Sequence, residues 1–156
     1  MKSKFFALAI ILAFSQQIVL SQTTSTENKP EIRLNHIAVY VNDLEESTAF
    51  YENVLGLKQI PEPFNDGRHT WFTLGGAGQL HLIQGAEKGI VHDKNSHLCF
   101  SVASIDDFIR NLDDHKIERE NWVGDSKDPN IRVDGVKQIY FQDPDGYWVE
   151  VNDDFK

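Results

Sequence analysis

The sequence predicts an α+β fold made of two consecutive βαβββ units. Three observations carry that prediction. The same order of strand-like and helix-like runs occurs twice between residues 32 and 153, both helix-like runs open on a capping residue, and Pro, Gly and Asp signals separate the remaining strands. A chain of 156 residues suits one domain or two small halves sharing a core, and 40% apolar residues is too many for a disordered chain.

Residues 1–21 (MKSKFFALAIILAFSQQIVLS) place two lysines before the apolar run Phe5–Phe14 and end on the small Ser21, the pattern of a secretory signal peptide. The run falls short of the ~20 apolar residues of a membrane-spanning helix. Cleavage is expected near Ser21 or Gln22, giving an exported chain, periplasmic or secreted. Residues 22–30 are polar, end in proline, and read as a flexible linker before a folded domain over 31–153.

Module one spans 32–84. Leu34–Val41 is β-rich; Asp43, with Glu46 three residues on, marks a helix start. Leu44, Phe50, Tyr51, Val54 and Leu55 lie near helical spacing, and Gly56 supplies the stop. Leu57–Ile60, Thr70–Leu74 and Gln79–Ile83 read as three further strands. Module two spans 96–153. His97–Val102 is a strand, Ser104 with Asp107 opens a helix, and Ile105, Phe108, Ile109 and Leu112 form one helical face. Ile117–Val123 is a candidate strand, 124–135 a long polar loop, and Val136–Phe141 with Tyr147–Val151 a hairpin around Asp143-Pro144-Asp145-Gly146.

The net charge of −9, more negative still without Lys2 and Lys4, disfavours nucleic acid and anionic membrane as partners. A small ligand or another protein remains. Cys99, the single cysteine, is expected as a buried free thiol on the same strand face as His97.

Four polar residues fall inside predicted strands: His36 and His97 in the first strand of each module, His81 and Glu150 in the last. Strand alternation puts His36 with Leu34 and Ala38, His81 with Gln79 and Ile83, and Glu150 with Trp148 and Asn152. A lone in-strand histidine is commonly a hydrogen-bonded core residue, and Glu150 near the chain end could face solvent. Their joint, symmetric placement instead predicts a divalent metal site of nitrogen and oxygen donors, suited to Zn, Ni, Fe or Mn. Trp71, Phe72, Tyr140 and Trp148 are candidates for an aromatic substrate pocket, with plain core packing the competing reading. Arg68, Arg132 and Lys137 are weaker candidates for an anionic substrate tail, and His69, His92 and His115 read as exposed.

Leu34–Val41, Asp43–Leu57 and Tyr140-Phe-Gln-Asp-Pro-Asp-Gly-Tyr-Trp-Val-Glu150 together resemble the vicinal oxygen chelate superfamily, which includes glyoxalase I, methylmalonyl-CoA epimerase, extradiol dioxygenases and the fosfomycin- and bleomycin-resistance proteins. The resemblance implies βαβββ modules whose mixed sheets curl into a cup around a metal. It carries metal ligands onto His36, His97 and Glu150. His81 stands where glyoxalase and epimerase relatives have Glu or Gln, and is the implied fourth ligand. It further implies a lyase of lactoylglutathione-lyase type acting on a hemithioacetal, with Glu150 as base; of the aromatic candidates, Tyr140, Trp148 and Trp71 are the expected substrate contacts. The metal would act as a Lewis acid.

Two histidines and a carboxylate also fit an Fe(II) dioxygenase, although Ile131, Arg132 and Val133 stand where that signature has a histidine. Non-catalytic drug binding is a third reading. Fosfomycin thiol transfer needs only three ligands, but no thiol- or potassium-site pattern favours it. Short relatives pair as homodimers, sometimes building each cup from two chains, so a homodimer is expected.

Overall fold

A computed structural model of the protein describes residues 31–155; the predicted signal segment and the linker 22–30 lie outside the described residues. From residue 33 onward the chain forms two mixed sheets. In the first, β1 (His36–Val41) lies parallel to β4 (Gln79–Gln84), with β3 (His69–Thr73) antiparallel to β4 and β2 (Lys58–Ile60) antiparallel to β3. In the second, β5 (His97–Ser101) lies parallel to β9 (Trp148–Asn152). There β8 (Lys137–Gln142) pairs with β9, while β6 (Arg119–Glu120) and β7 (Asn130–Ile131) both pair with β8. Helix α1 (Leu44–Asn53) follows β1 and α2 (Ile105–Asp114) follows β5, which gives βαβββ order in the first module and repeats it in the second, where the two short strands β6 and β7 together take the place of one strand beside β8. Within one chain the two sheets stay separate and are not closed into a barrel.

Each helix starts where its capping residue predicts. Asp43 Oδ1 accepts the backbone N–H groups of Glu45 (3.0 Å) and Glu46 (3.1 Å), and Ser104 Oγ accepts that of Asp107 (3.2 Å). The two helices stop differently. Beyond α1 the left-handed position is Gly56 (φ 68°); beyond α2 it is Lys116 (φ 58°), whose Cβ makes that conformation costly.

The strand predicted over Ile117–Val123 shrinks to the two residues of β6, and the polar loop 124–135 contributes the short β7. Asn121 explains the first difference. Its side chain accepts the N–H groups of Gly124 and Asp125, curling the chain away from the sheet. His36 opens β1 rather than lying mid-strand.

The two modules share one core. Val39, Val41, Phe72, Leu80 and Leu82 from the first sheet pack in the same cluster as Ile139, Phe141, Val149 and Val151 from the second, with Phe50 and Tyr51 of α1 among them. Polar contacts lock this junction to the turn at 143–146. Asp145 accepts from Asn42 N (2.7 Å) and Ser47 Oγ (2.9 Å), and the buried Asp143 accepts from Tyr51 OH (2.9 Å). Burial pushes both the Asp143 carboxyl and the Tyr51 phenol above their ordinary values.

Candidate metal centre

Alternation along the strands decides which side chains face the core and which face away. On β9, Val149 and Val151 enter the core, so Trp148, Glu150 and Asn152 lie on the opposite face. The register brings Cys99 of β5 and Tyr140 of β8 opposite Glu150. Glu150 is therefore only 5% exposed, yet it is fully satisfied. Its Oε2 accepts from Tyr140 OH (2.7 Å); its Oε1 accepts from Gln138 Nε2 (2.7 Å), Asn152 Nδ2 (2.9 Å) and Cys99 Sγ (3.3 Å). Burial alone would push the carboxyl up, but these donors outweigh it and hold Glu150 below its ordinary value. It is a buried carboxylate kept ionised.

His97 Nε2 lies 3.2 Å from Glu150 Oε2, and His97 Nδ1 is 2.7 Å from the Lys94 carbonyl. A carbonyl can only accept, so Nδ1 carries a proton and the ring turns Nε2 toward the Glu150 carboxylate. Two donors each about 2.1 Å from one divalent ion would themselves lie about 3.0–3.4 Å apart. The His97–Glu150 pair fits that requirement.

The same alternation operates in module one. Leu80 and Leu82 point into the core, so His81 faces away from it with Ala38 and Trp71 as its register partners. The rings of His36 and His81 stand 4.9 Å apart at 88°, and Trp71 lies 4.2 Å from His81. His81 is 6% exposed, and its Nδ1 is buried with no hydrogen-bond partner. Burial, with His36 and His69 nearby, pushes its imidazole below the ordinary value. A neutral imidazole with an open nitrogen is what a metal ligand requires.

Two pairs of candidate ligands, His36 with His81 and His97 with Glu150, thus lie on the sheet faces turned away from the shared core. Among the described residues no three of these four bring donor atoms within 4.8 Å of one another; the group that does is Glu62, Asp66 and His69.

Several expectations change. His69 is not an exposed turn residue: it opens β3, its side chain is 14% exposed, and its ring stacks on His81 at 6.0 Å. Phe72 leaves the aromatic set because it faces the core, whereas Trp71, Tyr140 and Trp148 stay on the ligand-bearing faces. Cys99 is exposed rather than buried, because the outer face of β5 is open. Desolvation of its sulfur and the neighbouring Glu150 nevertheless push the thiol up to about 12. Arg68 and Arg132 are engaged with Gln84 O and with Asp134 and Asp154. The sequence reading overlooked Gln138 and Lys94. The i, i+2 spacing of Gln138 and Tyr140 on one strand face could have revealed the first; nothing local marks the second.

These faces and folds define a class. Residues 33–151 match the Glyoxalase/Bleomycin resistance protein/Dioxygenase superfamily, and the chain belongs to that family, whose members are typically metal-dependent and act on small molecules. It is 31% identical over 127 residues to Glyoxylase I 4 of Arabidopsis thaliana, covering 76% of this chain and 68% of that one. It is 33% identical over 122 residues to the metallothiol transferase FosB of Lysinibacillus sphaericus, covering 75% and 79%. A glyoxalase-family protein of Bacillus anthracis superposes with a TM-score of 0.64 at 28% identity, covering 80% of this chain and 98% of the other. A glyoxalase/dioxygenase of Nostoc punctiforme gives 0.64 at 24% identity over 91% and 100%, a likeness of fold.

Proposed function

We propose that the protein is a metal-dependent lyase of the glyoxalase type, acting on a small oxygen-chelating substrate such as a hemithioacetal. The observation that carries this reading is the buried, ionised Glu150 with Nε2 of His97 3.2 Å away. A divalent ion there would be held by His97, Glu150, His36 and His81, and would supply Lewis-acid polarisation of substrate oxygens. Glu150 would accept the proton that moves between adjacent carbons, with Tyr140 and Gln138 stabilising its charge. Trp71, Tyr140 and Trp148 would wall the apolar part of the substrate.

Each chain has its half-sites on outward faces, so the complete centre would form in a homodimer, module one of one protomer facing module two of its partner. Mixing His36→Ala and Glu150→Gln chains should then restore metal binding and turnover in the mixed dimer, because one of its two centres keeps all its ligands. A cup contained in one chain would give no recovery. We further propose that the chain is exported, as residues 1–21 indicate.

Purified protein loaded with Ni²⁺ or Zn²⁺ should convert the methylglyoxal–glutathione hemithioacetal to lactoylglutathione, with Glu150→Gln inactive. No turnover with any divalent ion would overturn the lyase reading. A second reading, thiol transfer, is favoured by the 33% identity to the metallothiol transferase FosB. Consumption of a small thiol with an epoxide phosphonate, and not with the hemithioacetal, would select it.

A further inference from the structure

Both ligands proposed for module two depend on one residue, Lys94. It sits in the tight turn before β5, where Asp93 Oδ1 accepts from Asn95 N and Ser96 N donates to Asp93 O. Its side chain is 15% exposed. The ammonium pairs with Glu120 and donates to the carbonyls of Asn121 (2.8 Å) and Trp122 (3.1 Å). The rings of Trp148, Tyr140 and Trp122 surround it at 4.7, 5.1 and 5.8 Å. Three acceptors for three N–H donors leave this group no freedom to wander.

That anchorage reaches each ligand by a separate route. The Lys94 carbonyl accepts from His97 Nδ1 at 2.7 Å, which orients the ring. The anchored segment 120–122 reaches Glu150. Trp122 N donates to Asn130 Oδ1 (3.0 Å), Asn130 Nδ2 donates to Gln138 Oε1 (3.0 Å), and Gln138 Nε2 donates to Glu150 Oε1 (2.7 Å). The Trp122 ring also meets the Tyr140 ring edge-on at 5.5 Å, and Tyr140 OH donates to Glu150 Oε2. Both oxygens of the carboxylate are thus oriented by groups that start from the segment Lys94 holds.

We propose that Lys94 is a positioning residue of the metal centre: its anchored side chain fixes the turn whose carbonyl orients the His97 ring, and its ammonium holds the 120–122 segment that orients Glu150. The inference rests on His97 and Glu150 being metal ligands, as proposed above. A purely structural ion pair would affect stability and nothing at His97.

The test uses Lys94→Met/Glu120→Gln, which removes both charges together, with Lys94→Arg as the conservative variant. Two readouts are taken: the ring ¹⁵N shifts of His97 in metal-free protein, and Zn²⁺ affinity by chelator competition. Wild type should show one set of ring shifts with Nδ1 hydrogen-bonded. In the double variant the Nδ1 shift should move as its bond to the carbonyl of residue 94 loosens, and Zn²⁺ affinity should fall about 10- to 100-fold; Lys94→Arg should retain most of both. Should the double variant not fold, Lys94→Gln, which keeps a donor for one carbonyl, takes its place.

Unchanged His97 ring shifts with unchanged Zn²⁺ affinity, whatever happens to the melting temperature, would overturn the inference. A wild type that binds no Zn²⁺ overturns the metal-centre reading by itself. The NMR arm then still decides whether the Lys94 side chain orients the His97 ring.

Discussion

On module two the Glu150 carboxylate receives hydrogen bonds from a phenol, two amides and a thiol. On module one His81 Nδ1 and Trp71 Nε1 are buried with no partner at all. Both faces are built on the same strand order, so topology does not explain the contrast; the charge of the ligand does. An ionised carboxylate can be buried only if donors surround it, so its half-site is complete before anything binds. A neutral imidazole tolerates an open nitrogen at lower cost, so its half-site can wait for what lies opposite.

The contrast is broken most directly at Glu150. Glu150→Ala should abolish metal binding and, by leaving Gln138, Tyr140 and Asn152 without their acceptor, cost about 2–4 kcal/mol in urea unfolding. His81→Phe fills similar space with no polar atom, so its metal-free stability should change by less than about 1 kcal/mol. Equal losses at the two positions would refute the contrast.

Asp145→Ala separates the junction from both faces. It removes the acceptor for Asn42 N and Ser47 Oγ, and should cost about 1–3 kcal/mol while leaving Zn²⁺ stoichiometry unchanged.

Acid titration of the metal-free protein should distinguish the half-sites by pH window. His81 is held below the ordinary imidazole value of 6.5, so below that pH the unfolded chain takes up a proton that the folded chain refuses. Stability therefore falls as pH drops from 6.5 toward the folded value, and His81→Phe should flatten that slope. Glu150 is held below 4.5, so its contribution is present above that pH and is lost as pH falls through the folded value. Glu150→Gln should flatten only this lower limb.

The smallest effect compares the helix ends. Lys116→Gly gives α2 the left-handed stop that Gly56 gives α1, and should stabilise by about 0.5–1 kcal/mol in thermal or urea unfolding.

Much of this was legible in the linear sequence because it is local. The caps at Asp43 and Ser104, the period of two that separates Glu150 from Val149 and Val151, and the turn at 143–146 each depend on residues within a few positions. The same period put His36, His81, His97 and Glu150 on the strand faces turned away from the core and grouped Cys99 with His97. It could not tell how open each face is. Cys99 was expected buried and is exposed, and His69 was expected exposed and is half-buried, because exposure depends on which distant strand or loop lies above the face.

Local period and capping chemistry, written in the sequence itself, determined the two βαβββ units, the positions of their helices and the strand faces that carry the polar residues. Tertiary structure alone decided that the two modules bury their other faces in one core, so that the half-sites look outward. It also decided that Lys94, remote from Glu120 and Trp122 in the chain, lies among their acceptors. Those outcomes depend on contacts between residues tens of positions apart, and no local pattern encodes which surfaces will meet.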